Sequence, residues 1–167
     1  MRRILRRREL VEDDWVHLGE AGADTADDAS VIVPWAEFRA HADTWRAHKG
    51  RLGVRLAPAD AAEELAADLP RFSLVASEFP GPGEGRGYTQ ARLLRSRFAF
   101  KGELRAVGAG VKQDLLFIMS RCGFDSFELA PGQKVDEALA ALDRYSVAYQ
   151  PAEPVPSICQ QRFFAAG

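Results

Sequence analysis

The hydrophobic positions from residue 30 onward form two kinds of run. Some runs are apolar at every second residue or throughout, as in β-strands, and others are apolar every third or fourth residue, as in helices. The predicted strands are 30–33, 51–57, 71–79, 102–107, 126–129 and 147–149. The predicted helices are 34–48, 59–69, 87–98, 111–122 and 134–144. Such alternation predicts an α/β fold of repeated βα units, with a mainly parallel sheet of about five or six strands.

Charged side chains recur at every second position of several predicted strands. The strands of a parallel sheet that helices cover on both faces are normally apolar throughout. Here Arg55, Arg105 and Glu128 alternate with apolar residues that would face the helices. This pattern favours a curved, half-barrel-like sheet with helices on one face only. The alternative is a flavodoxin-like three-layer sandwich in which these charges sit at strand ends and reach solvent.

The chain divides into an N-terminal arm and linker (1–29), a single α/β domain (30–150) and a C-terminal tail (151–167). Five arginines among the first eight residues are followed by four acidic residues up to position 14. This neutralised arm is typical of a strand or hairpin, with an anion-binding arm as the alternative. The tail carries apolar side chains, and the βα series that precedes it is already complete without them. We therefore expect it to pack across a neighbour or its own sheet, and the protein to be a homodimer.

Composition narrows the class of protein. The chain has 167 residues, 47% of them apolar, with 22 basic and 24 acidic side chains. This composition excludes a disordered chain and argues against a nucleic-acid-coating protein. The longest apolar runs fall short of the ~20 residues of a membrane helix, so we expect a cytoplasmic protein without membrane contact.

The number and spacing of the cysteines and histidines do not favour a disulfide framework, an iron–sulfur cluster or a metal site. Cys122 and Cys159 are too few for a disulfide framework or an iron–sulfur cluster, and Cys122 lies on an apolar helical stripe that favours a structural role. His17, His41 and His48 lack the spacing of metal ligands, so we expect solvated side chains and no metal site.

The most distinctive segment is a glycine-rich loop at 81–87, between a predicted strand and a predicted helix. Backbone N–H groups in such a loop, together with the start of the helix, attract anions. The candidate anion-binding residues are Gly85, Arg86, Gly87, Tyr88, Arg92 and Arg95. The alternative is a flexible βα loop with surface ion pairs. Neither a Walker A sequence nor a dinucleotide fingerprint is present, so nucleotide binding is poorly supported.

A second glycine-containing loop, at 108–110, follows the next strand. Loops at the carboxyl ends of parallel strands share one rim of the sheet, where ligands usually bind. The candidates at this rim or on the polar face beside it are Arg55, Glu78, Arg105 and Lys112.

Three segments resemble a known family. Residues 85–95, the strand and turn at 102–108, and residues 121–129 look like the bacterial domain-of-unknown-function family 934, and the likeness extends over nearly the whole chain. That family is commonly described as a probable oxidoreductase of sulfite reduction, and its members are encoded beside sulfite reductase. The resemblance implies a role in assimilatory sulfur metabolism and brings no established catalytic residues.

Two functions follow from this resemblance. Electron transfer to sulfite needs a carrier, and the sequence has no nucleotide fingerprint and no cysteine set for a cluster. One hypothesis is therefore an accessory protein that binds sulfite reductase or helps to deliver an anionic substrate or siroheme. The other is a small enzyme that binds an oxyanion at the Arg86 loop, with a flavin that leaves no sequence signature. Whether the protein is catalytic stays open at this point.

Overall fold

The computed structural model describes residues 2–19 and 26–142 and contains one sheet of eight strands. The strands are β1 (Arg3–Arg6), β2 (Glu9–Glu12), β3 (Val16–His17), β4 (Val31–Pro34), β5 (Leu52–Leu56), β6 (Leu74–Glu78), β7 (Glu103–Val107) and β8 (Ser126–Phe127). Their order in the sheet is β2-β1-β8-β7-β6-β5-β4-β3. The α/β class is confirmed, but the expected five or six strands are too few, and the sheet is mixed.

The mixed character comes from the N-terminal hairpin. β1 pairs antiparallel with β2 and with β8, whereas the five pairings from β3 to β8 are parallel. Ile4 and Leu5 are almost fully buried, and Leu5 lies opposite Phe127. The predicted hairpin is thus confirmed, and it forms part of the sheet.

The sheet curls strongly because its two edge strands are consecutive in the chain. β2 and β3 end the strand order, yet only Asp13, Asp14 and Trp15 connect them. Four Cα–Cα steps reach at most about 15 Å, whereas eight flat strands would be about 34 Å wide. The half-barrel expected from the alternating charges is confirmed, and the flavodoxin-like alternative finds no support.

The helices of the described chain all lie on the convex face. They are α1 (Trp35–Ala40), α2 (Ala42–Arg46), α3 (Arg86–Ser96), α4 (Leu116–Arg121) and α5 (Val135–Leu142). Their apolar side chains pack on Val54, Val75 and Leu104 of the sheet in one core. A smaller cluster on the concave face consists of Trp15, Ile32, Leu74, Ala76 and Val107, all of them strand or linker residues. Among these helices, none is long and apolar enough to cross a membrane.

Two predicted helices need correction. Residues 59–69 form no α-helix but short 3-10 turns at Ala62–Leu65 and Leu69–Arg71. Pro70 lacks the N–H that a continuing helix requires, and short turns bury Ala62, Leu65 and Leu69 just as well. The helix predicted at 34–48 is interrupted at His41. The predicted strand 147–149, the end of helix 134–144 and the tail lie outside the described residues.

Candidate functional site

The polar face of the sheet is a buried network of charges around Arg105. This side chain has no exposed surface and donates from one guanidinium nitrogen to both carboxylate oxygens of Asp13, at 3.0 and 2.9 Å. Its other nitrogens donate to Glu103 at 3.0 and 2.9 Å, and Glu128 lies 3.3 Å away. Register pairs Arg55, Ala76 and Arg105 across β5, β6 and β7, so both arginines lie on the same face of the sheet.

Glu128 links two distant parts of the sheet across its concave interior, because it contacts Arg105 of β7 and also His17 at the edge strand β3. His17, at the end of β3, lies 2.7 Å from the Glu128 carboxylate, and Arg2 lies 3.4 Å from it. Burial alone would raise the pKa of Glu128, but His17, Arg105 and Arg2 together hold the pKa below its ordinary value. Burial raises the pKa of Asp13 in spite of Arg105. The network therefore holds carboxylates with oppositely shifted pKa values on one charged face.

Two buried polar atoms on this face have no hydrogen-bond partner among the described residues. They are the indole nitrogen Nε1 of Trp15 and the Nδ1 atom of His17. His17 is only 2% exposed, so the expectation of a solvated histidine was wrong at this position. An ionised Glu128 only accepts hydrogen bonds, so Nε2 of His17 is the donor in this contact. Buried polar atoms without partners are uncommon in folded proteins, so these two distinguish the face from an ordinary packed interior.

The other predicted polar-face residues lie at or near the rim. Arg55 and Glu78 are half-buried, and neither has an ion pair within the described chain. Lys112 is half-buried in the loop after β7, directly before a 3-10 turn at Gln113–Leu115. Arg105 is thus enclosed by carboxylates, whereas Arg55 keeps its charge available at the rim.

The glycine-rich loop does begin a helix, but a side chain of the loop already occupies the helix start. Glu84 accepts a hydrogen bond from the backbone N–H of Arg86 at 2.9 Å and binds its guanidinium at 3.0 and 2.8 Å. Hydrogen bonds from Arg86 lower the pKa of Glu84 to about 2, so this carboxylate stays ionised at any physiological pH. An external anion at this place would compete with Glu84.

The structure does not bring the other anion-binding candidates to one place. Arg95 lies in the last turn of α3, where it donates to Gly123 O at 3.1 Å and pairs with Asp125 at the far end of the sheet. Arg92 is exposed. Tyr88 packs edge-to-face on Phe79 with ring centroids 5.2 Å apart, and burial raises the pKa of its phenol. Gly85, Arg86 and Gly87 remain around the helix start, and whether they bind an anion stays a prediction.

Close contacts with Phe79 and Gly81 explain three of the glycines. A Cβ atom on Gly108 would lie 2.5 Å from Phe79 O, and one on Gly110 would lie 2.5 Å from Gly81 O. A Cβ atom on Gly87 would lie 2.5 Å from the Phe79 ring. The two rim loops therefore interlock, and these glycines serve packing. A Cβ atom on Gly81, Gly83 or Gly85, by contrast, would have no neighbour within 4 Å in the described part of the chain.

We expect Gly108→Ala to lower the free energy of unfolding by about 1–3 kcal/mol, because φ is +106° and the added methyl group meets backbone. Urea unfolding monitored by tryptophan fluorescence measures the change. Gly83→Ala is the matched control, since its Cβ atom enters open space and should change stability by less than about 1 kcal/mol. Equal losses in both variants would contradict the interlocking of the two loops.

We expect Glu84→Ala to bind sulfate about tenfold more tightly than the unaltered protein, because it frees the Arg86 guanidinium and the first N–H groups of α3. Calorimetric titration with sulfate measures this gain. A second substitution, Arg86→Ala in the same chain, should remove it. If Glu84→Ala releases no more heat than the unaltered protein, the glycine-rich loop does not bind anions.

Cys122 has the features of a structural cysteine. It is half-buried against the core, and burial raises the pKa of its thiol although Arg92 and Arg121 act in the opposite direction. Cys159 lies outside the described residues. Within residues 2–19 and 26–142, no cluster of three histidine, cysteine or acidic side chains has the arrangement of a metal site.

Together, the curled sheet and its buried charge network define a one-sided α/β protein whose polar groups line the concave face. A model of the family of bacterial proteins of unknown function, DUF934, matches residues 53–157, which is more than half of the chain. The protein belongs to this family. No curated protein matches it. The matched part contains Glu103, Arg105 and Glu128, whereas Asp13 and His17 lie before it.

The sequence did not point to Asp13 and His17 as members of the network, whereas the alternation along β7 already put Glu103 on the polar face with Arg105. Asp13 stands in an acidic run that resembles a solvated arm, and it meets Arg105 only through the curl of the sheet. The alternation of Trp15 and His17 with Val16 and Leu18 was the available signal for a strand. However, β3 has only two residues, which are too few for the pattern to distinguish a strand from a loop.

Proposed function

We propose that this protein is an accessory protein of assimilatory sulfite reduction that acts beside sulfite reductase in the cytoplasm. The pathway is supported by the resemblance of residues 85–95 and 121–129 to a family associated with sulfite reduction. The accessory role is supported by one observation above all: Glu84 fills the start of α3. A substrate oxyanion bound there would have to displace a carboxylate that makes three hydrogen bonds to Arg86.

A flavin would supply the electron transfer that the oxidoreductase description requires. In α/β folds the phosphate of such a cofactor usually sits at a helix start beyond the carboxyl end of a strand. At the start of α3 the Glu84 carboxylate would repel it, and Gly110 N donates to Phe79 O at 2.8 Å, which holds the two rim loops together. The residues present at this place do not fit a flavin phosphate, so no reaction step is assigned to one.

Affinity purification of the tagged protein from cells grown on sulfate tests the proposal. We expect sulfite reductase to be retained with the protein, and the protein freed from it to be colourless. A yellow protein with a flavin absorption band and no retained sulfite reductase would contradict the accessory role. A bait with the same tag on an unrelated protein of similar charge controls for nonspecific retention.

A second candidate function is a small oxyanion-binding enzyme of sulfur metabolism that uses the concave face. Three groups on this face favour it, because none has a partner within residues 2–19 and 26–142: Nδ1 of His17, Nε1 of Trp15 and the Arg55 guanidinium. Arg55 would attract the oxyanion, and His17, oriented by Glu128, would hold or accept a proton. Calorimetry with sulfite distinguishes the candidates: heat that Arg55→Ala removes favours the enzyme, and no heat with the unaltered protein excludes this site.

Association with a second copy is part of the proposal. The apolar residues expected to make the contact belong to the tail at 151–167, outside the described residues. Sedimentation at micromolar concentration measures the oligomeric state. We expect a dimer, and a monomer would contradict the prediction.

A further inference from the structure

A separate cleft opens at the amino-terminal ends of β7 and β8, at the opposite end of the sheet from the glycine loops. It has a volume of about 600 Å³ and lies between the β1–β2 turn, the residues before β7 and the end of α4. Phe100 and Phe124 line it with buried rings, and Val11 lies beside them. A volume of this size is typical of sites for small organic ligands.

Most charged groups of the cleft are already paired. Arg95 binds Asp125, whose carboxylate also accepts the backbone N–H of Leu104 at 2.9 Å. Arg6 lies 3.7 Å from Glu103, which belongs to the network around Arg105. These groups therefore have little capacity for another partner.

Three charged groups of the cleft remain without an ion pair among the described residues: Arg7, Glu9 and Lys101. All three are exposed. Two cations against one carboxylate leave the cleft with an excess positive charge. Because both cations are in contact with solvent, they can bind a ligand without first breaking an internal ion pair.

The backbone holds Arg7 in an unusual conformation at the edge of this cleft. Arg7 and Arg8 form the two-residue turn between β1 and β2 with φ of 49° and 68°. Asn-Gly or a similar pair is preferred in such a turn, and other residues with positive φ cost of order 1–3 kcal/mol each. Arg7 N donates to Asp125 O at 3.0 Å, which fixes the turn against the cleft wall. Strain of this kind is found at binding sites, and here it positions an arginine.

We propose that this cleft binds a small organic anion, with its phosphate, sulfate or carboxylate group between Arg7 and Lys101 and its apolar part against Phe100 and Phe124. The site is distinct from the glycine-rich loop and from the concave face, so it does not depend on the proposed role in sulfite reduction. A guanidinium and an ammonium group each form charge-assisted hydrogen bonds with such an anion.

Phenyl phosphate is a suitable probe because it joins a dianion to one aromatic ring. In calorimetry with the full chain we expect saturable binding in the millimolar range or tighter, weakened about tenfold or more by Arg7→Ala and again by Lys101→Ala. Benzyl alcohol, which has the ring without the charge, should not bind. Arg97→Ala is the matched control, since this exposed arginine lies outside the cleft, 3.9 Å from Glu63, and should leave the affinity unchanged.

A protection experiment on the unaltered protein makes the test independent of the variants. Phenyl phosphate should slow the acetylation of Lys101, read by mass spectrometry, and leave that of the exposed Lys49 unchanged. Equal acetylation of Lys101 with and without the probe would overturn the proposal. So would binding that the double variant Arg7→Ala/Lys101→Ala retains at full strength.

Discussion

Replacing Arg105 with methionine is expected to destabilise the protein by about 3–5 kcal/mol at pH 7, the usual loss when one partner is removed from a buried ion pair. Methionine fills a similar volume but leaves Asp13, Glu103 and Glu128 without their shared cation. Asp13 suffers most, since its side chain is 1% exposed and Arg105 is its ion-pair partner at 2.9 Å. Urea unfolding followed by tryptophan fluorescence measures the loss.

The loss should shrink as the pH falls. Arg105 lowers the pKa of both Asp13 and Glu128, so both pKa values rise in the variant. A carboxyl group whose pKa is higher in the folded than in the unfolded state stabilises folding as the pH falls through the folded value. Arg105→Met should therefore approach the unaltered protein between pH 7 and about pH 4.

Arg55→Met is the control for this prediction. Arg55 lies on the same face and in register with Arg105 through Ala76, but it is half-buried and has no ion pair with any residue that the structure describes. We expect a change of less than about 1 kcal/mol, without the pH dependence. If both variants lost the same free energy of unfolding, the ion pairs of the buried network would not explain the effect of Arg105→Met.

The one-sided sheet could be predicted because its cause is local. In each parallel strand, side chains alternate between the faces, so Leu104 and Ala106 reach the helix core while Arg105 turns to the other side. The alternation shows that two faces differ, but it does not show what covers the polar one. An open polar groove and an interior filled with ion pairs would both give the same alternation of apolar and charged residues along each strand.

The interior network could not be predicted because its contacts are distant in sequence. Asp13 and Arg105 are 92 positions apart, and His17 and Glu128 are 111 apart. Both contacts exist only because a three-residue link forces the sheet edges together. The Glu84–Arg86 pair, two positions apart, was accessible from the sequence. The hydrogen bond from Arg95 to Gly123 O, 28 positions away, could not be predicted from the sequence.

Leu5→Ala should lower the free energy of unfolding by about 2–5 kcal/mol, a core-sized effect for a residue of the N-terminal arm. Leu5 is fully buried, lies opposite Phe127 and belongs to the main core. Truncation to alanine removes apolar burial and leaves a cavity between β1 and the helices, which cannot fully collapse because β1 is held between β2 and β8.

Leu10→Ala provides the matched control in the same hairpin. Leu10 lies opposite Leu5 in the β1–β2 pair but is 36% exposed, so its truncation should cost less than about 1 kcal/mol. A large loss for Leu5 and a small one for Leu10 would mean that the hairpin folds as part of the sheet. Two small losses would mean that residues 1–12 can separate from β8 without unfolding the rest, and the closure of the interior through Asp13 would then be reversible.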